Sequence, residues 1–152
     1  MFLFGCIVIL FSSCSKSGSS NSSSNWSVNG TNYTAATVTY IATGGEANLS
    51  AAATGQTTTN ANGLVFTFLT APVSSEQVLI TDSMDPNTAF VTVTKLSGTN
   101  LTSYMSSTSN TKVSINIANN KVNATFSGAL WLHNVTNYSD SVKLTVAKIT
   151  QN

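Results

Sequence analysis

Residues 112–132 restrict the possible fold more than any other stretch. Val113, Ile115 and Ile117 alternate with Lys112, Ser114 and Asn116. After Asn119-Asn120, Val122, Ala124 and Phe126 alternate with Lys121, Asn123 and Thr125. Side chains of an extended strand point to opposite faces in turn, so each half reads as a strand with one apolar face. Asn tolerates the positive φ that both positions of a two-residue hairpin turn demand. Such a turn pairs Ile117 with Val122, Ile115 with Ala124 and Val113 with Phe126, all six on one face. A slip of one residue would turn the whole set into water. A hairpin with one dry face needs further strands to cover it.

The rest of the chain supplies them. Trp26-Ser-Val-Asn-Gly-Thr-Asn-Tyr33 reads as a second hairpin, with Asn29-Gly30 as its turn. Val38 and Tyr40 share a face within 37–41, and Gly44-Gly45 turns the chain. Leu49, Ala51 and Ala53 point inward from a strand over 48–53, and 54–62 is expected to be a loop. Residues 64–69 (LVFTFL) are apolar on both faces and predict a strand covered on both sides. Residues 76–81 and 89–96 predict strands around a turn at 82–87, with Val91 and Val93 inward. Residues 97–110 read as polar loop with a helical turn near Leu101–Tyr104. Gly128 is expected to bend its strand. Residues 142–146 form the closing strand, its lysines outward as at a sheet edge.

That amounts to about eight to ten short strands with no helix. The expected fold is an all-β antiparallel sandwich, with a partly open barrel as the alternative.

The front of the chain has a different character. An apolar run, Phe2 to Phe11, ends in Ser12-Ser13-Cys14. It is too short to cross a bilayer, which takes roughly 20 residues, and reads as the hydrophobic part of an export signal. Phe11-Ser-Ser-Cys14 resembles a bacterial lipobox. That resemblance implies a signal peptide over 1–13 and a diacylglycerol on the Cys14 sulfur, with cleavage before it and acylation of the new N-terminus. The partner so implied is membrane lipid, because several acyl chains anchor a protein firmly where one is marginal. Residues 14–25 are nearly all Ser, Gly and Asn and form a flexible tether, with a mean reach of roughly 17–20 Å. Residues 26–152 form a single β domain. The chain has two cysteines, and Cys6 leaves with the signal, so no disulfide is expected in the domain.

The lipobox, the Ser/Asn tether and the opening Trp26-Ser-Val-Asn-Gly-Thr-Asn-Tyr-Thr-Ala35 together resemble small lipoproteins of Bacteroidota. The segment Asn120-Lys-Val-Asn-Ala-Thr-Phe-Ser-Gly128 resembles the close of their domains. Ser15 after the cysteine resembles lipoproteins routed to an outer membrane. The resemblance implies a cell-envelope location, on the periplasmic or the surface side, and a β fold; it assigns no activity.

Charged residues make up 7% of the chain, with a net charge of +1 and no arginine. Six scattered lysines cannot build the phosphate-neutralising patch that nucleic acid requires. His133 is the single histidine, so neither a nucleophilic triad nor a zinc site can be assembled, and no cofactor is expected. Glu46, Glu76, Asp82, Asp85 and Asp140 leave a two-carboxylate hydrolase as a formal alternative, recognisable by a cleft holding two carboxylates about 5–10 Å apart. An inhibitor-like envelope factor belongs to the same alternative. Residues 82–87 read as an Asx turn before they read as a calcium loop, since they lack its spacing and glycine. Asp82-Ser83-Met84 and Asp140-Ser141-Val142 resemble the sites that Bacteroidota O-glycosylate, at Ser83 and Ser141.

Trp131 and His133 carry the sharpest functional expectation. If Phe126, Gly128, Leu130 and Leu132 continue the inward face, Trp131 and His133 point outward and offer a platform for a sugar ring. If Gly128 carries a bulge that flips the parity, Trp131 belongs to the core. The expected function is therefore a non-enzymatic, lipid-anchored binding or structural module, with glycan as a candidate ligand.

Overall fold

A computed structural model describes residues 23–83 and 85–151. The signal peptide, Cys14 and most of the tether lie outside the described residues. Ten strands follow in chain order: β1 (Asn25–Val28), β2 (Thr31–Thr43), β3 (Glu46–Ala53), β4 (Asn60–Phe68), β5 (Glu76–Ile80), β6 (Thr88–Ser97), β7 (Asn100–Ser106), β8 (Lys112–Ala118), β9 (Lys121–Asn134) and β10 (Ser141–Thr150).

The strands form one sheet, and its ladder closes. Neighbours run β1, β2, β3, β4, β6, and β9 pairs with β10, which returns to β1. Two bridges join β6 to β9. At one end β7 pairs with both; towards the other, β5 and β8 lie between them. The all-β architecture is as expected from the sequence, and the closed hydrogen bonding is that of the barrel alternative, around a single core. An eight-stranded circuit leaves an interior that side chains can fill. Trp26, Leu49, Leu64, Phe66, Phe68, Phe126, Leu130 and Leu144 fill it.

Turn chemistry sets the registers. Asn29 and Gly30 have φ of 49° and 79°, and Asn119 and Asn120 have 53° and 60°. Each pair closes a two-residue hairpin, Val28 facing Thr31 and Ala118 facing Lys121. Ile117 faces Val122 and Ile115 faces Ala124, the register expected from the pattern. The paired residues end at Ser114 and Thr125, one step short of Val113 and Phe126 in the same register, and on its other side Val113 faces Val78 on β5.

Several expectations are corrected. Residues 100–106 are a strand rather than a loop with a helical turn, because Gly98 turns the chain tightly and lays the segment along β6. Its half-buried residues, Thr102, Ser103 and Tyr104, carry no apolar alternation. The strand at 64–68 is buried on one face and half-buried on the other, because a single-layered barrel has no second cover. β4 begins at Asn60, within the expected loop. β10 is no edge, since it pairs with β9 and β1. One pairing, β5 with β6, is parallel, over two residue pairs. At the front, β1 takes in Asn25, and Ser24 is buried against β10, its hydroxyl exchanging hydrogen bonds with Thr150 at 3.1 and 2.8 Å.

The irregularity expected at Gly128 is present, with a different consequence. Leu130 faces Leu144 and Ser127 faces Val146, so Gly128 and Ala129 together oppose the single Thr145. Gly128 absorbs this with a φ of 142°. β9 keeps its parity, with Phe126, Leu130 and Leu132 all buried. The flip falls on β10, which buries Leu144, then Ala147 and Ile149, and leaves Val146 exposed. A bulge changes the face of whichever strand can afford it.

Candidate functional site

The β9–β10 corner joins two features: an outward aromatic face and an opening into the barrel.

On the outer face, Trp131 is 53% exposed. The parity retained through Gly128 puts it there, as the outward reading expected. Lys143 is its cross-strand neighbour, with Nζ 5.9 Å from the ring centroid. A ligand stacking on that ring face would displace an ammonium worth about 0.5–1 kcal/mol. His133 is half-buried and stacks on Tyr138, ring centroids 4.1 Å apart and planes within 8°. Its Nδ1 lies 3.1 Å from the Tyr138 carbonyl oxygen. Met105 on β7 is the cross-strand neighbour of His133 and is exposed, as are Tyr138 and Val135. Trp131 and His133 therefore belong to a wider outward face that also takes in Tyr138 and Met105. Neither of those two is legible in the local pattern, because one comes from a loop and the other from a strand that reads as loop.

The loop behind this face is tied by its own polar groups. Asn134 Oδ1 accepts from the Thr136 backbone N–H and hydroxyl, both at 2.9 Å, and from the Asn137 N–H. Its amide Nδ2 donates to Asp140 Oδ2 at 2.9 Å. The Tyr104 hydroxyl donates to the same oxygen at 3.0 Å. Desolvation, then the hydrogen bond to Asp140 and its negative charge, push the Tyr104 phenol above its ordinary range.

Inside that corner the barrel opens into a cavity of about 360 Å³. Trp26 and Tyr33 line one side, stacked with centroids 5.4 Å apart. Asn62 and Lys95, cross-strand neighbours, line another, and Tyr104 and Asp140 a third. The Trp26 indole N–H is buried and has no acceptor among the described residues.

Ser83 lies apart from this end. The Ser83 hydroxyl donates to Asp85 at 3.3 Å in the turn before β6, and Asp82 accepts from Thr108. Ser141 opens β10, is half-buried and belongs to this corner, lining the cavity and facing His133. Of the five carboxylates, Asp140 alone lines the cavity. Among the described residues no group of three or more His, Cys, Asp or Glu side chains could hold a metal ion. No known protein family, no curated protein and no solved structure matches the chain.

Proposed function

We propose that this chain is a non-enzymatic binding protein of the cell envelope, held at the outer membrane through acylated Cys14, that captures glycan on its outer face. The observation that carries the reading is Trp131, a large aromatic ring left half in water on a strand paired on both sides. A monomeric domain gains nothing from exposing such a ring, and clustered exposed aromatics mark binding surfaces. The stacked His133 and Tyr138 extend the platform, and Lys143 and Ser141 give its edge polar groups. The chain enters the barrel at Asn25, paired with Lys148, at the end opposite the Asn29-Gly30 turn. A tether from that end joins the barrel at the end away from the aromatic corner.

Two measurements test the two halves of the proposal. Radiolabelled palmitate should enter the wild-type chain and not Cys14→Ser; label in both would refute the anchor. Glycan-array binding should fall at least about ten-fold in Trp131→Ala, as for a residue central to a contact surface. Binding that survives the substitution would remove the platform.

A further inference from the structure

We infer that the barrel mouth is a second, interior binding site, for a single neutral sugar ring or the terminal unit of a short neutral glycan. The inference stands apart from the Trp131 platform, which lies on the outside of the same corner.

Charge excludes the strongly ionic ligands first. The mouth holds one cation, Lys95, and one anion, Asp140, so an ion of either sign would meet both an attractive and a repulsive partner. Donors and acceptors are both present, on β4, on β6 and in the loop between β9 and β10. Lys95 and Asn62 can donate, Asn62 and Asp140 can accept, and the Lys95 ammonium makes no hydrogen bond among the described residues. Groups that each donate and accept suit such a mixture, and a ring of hydroxyls is the compact ligand made of them. Tyr33, half-buried and backed by the buried Trp26 ring, adds a flat apolar wall for the C–H face of a pyranose. A volume of about 360 Å³ lies at the small end of the roughly 300–1,000 Å³ of ligand pockets, enough for one or two sugar units.

The two tryptophans report the two sites separately. Trp26 is 1% exposed at the cavity, and Trp131 lies outside. The full chain in detergent micelles is titrated with methyl glycosides of glucose, galactose, mannose and N-acetylglucosamine, and with glycine as a zwitterionic control. The readout is the pair of indole Nε1–H resonances. The expected result is a saturable shift of the Trp26 resonance with at least one glycoside. Lys95→Met and Asn62→Leu should each weaken it by about five-fold or more, the loss of one hydrogen bond, while Trp131→Phe leaves it unchanged. Both substitutions keep most of the side chain, and a dispersed amide spectrum confirms the fold. The inference is overturned by no saturation up to about 50 mM of any glycoside, an affinity too weak to matter. It is overturned equally by saturation with glycine alone, by shifts confined to Trp131, or by affinity indifferent to Lys95→Met and Asn62→Leu. Loss of the array signal in Trp131→Ala with the Trp26 shift intact sustains both sites.

Discussion

Replacing Asp140 by alanine removes the acceptor that ties the β9–β10 corner to β7. Two donors lose their partner at once, the Tyr104 hydroxyl at 3.0 Å and the Asn134 amide at 2.9 Å. A hydrogen bond to a charged group is worth about 1.5–3 kcal/mol when shielded. Asp140 and Tyr104 are only half-buried, so water competes and about 1 kcal/mol for each bond is the better figure. Asp140→Ala should therefore cost about 2 kcal/mol, Tyr104→Phe about 1 kcal/mol, and the double variant no more than about 2 kcal/mol. The coupling between the two positions is then about 1 kcal/mol. At about 3–5 °C per kcal/mol for a domain of this size, Asp140→Ala should melt about 6–10 °C lower. Urea unfolding followed by far-ultraviolet circular dichroism gives all four stabilities, and an unchanged m-value shows that the unfolded state is not involved. Additivity within about 0.3 kcal/mol would refute the shared oxygen as the tie between strands.

The remaining expectations follow from single positions. Gly128→Ala should cost about 1–3 kcal/mol in urea unfolding; nothing lies closer than 3.8 Å to the added carbon, so the loss comes from the φ of 142°. Asn120→Val should cost about 1–2 kcal/mol and Asn120→Gly nothing, because the φ of 60° is left-handed; equal stability of the two variants would contradict the assigned turn. Tyr104 ionises higher in the fold than in the unfolded chain. Its contribution to stability is complete below the ordinary tyrosine range and is lost as pH rises through the folded-state value. Tyr104→Phe should flatten that alkaline decline, and an unchanged pH profile would show that other groups cause it.

Much of the fold can be read from local pattern, and the 112–126 hairpin shows why. Its register follows from two asparagines and six apolar residues within fifteen positions, all acting over short range. The same holds for the Asn29-Gly30 hairpin. β7 is hidden in the sequence because its half-buried residues, Thr102, Ser103 and Tyr104, carry no apolar alternation. Trp131 shows an intermediate case. Its alternation with Leu130 and Leu132 points outward, but a bulge at Gly128 leaves two parities open. The choice falls to β10, which yields at Thr145.

The chain's own order of residues determined that it would be a strand protein, where its tight turns fall and which faces stay dry. Those outcomes depend on φ preferences and on alternation between neighbours. Closure of the ladder, the strand that absorbs the bulge and the meeting of Tyr104 with Asp140 were decided by the tertiary structure. They rest on partners far apart in the chain, up to the 126 residues between Ser24 and Thr150. No local preference of either residue carries information about the other; only the geometry of a closed barrel brings them together.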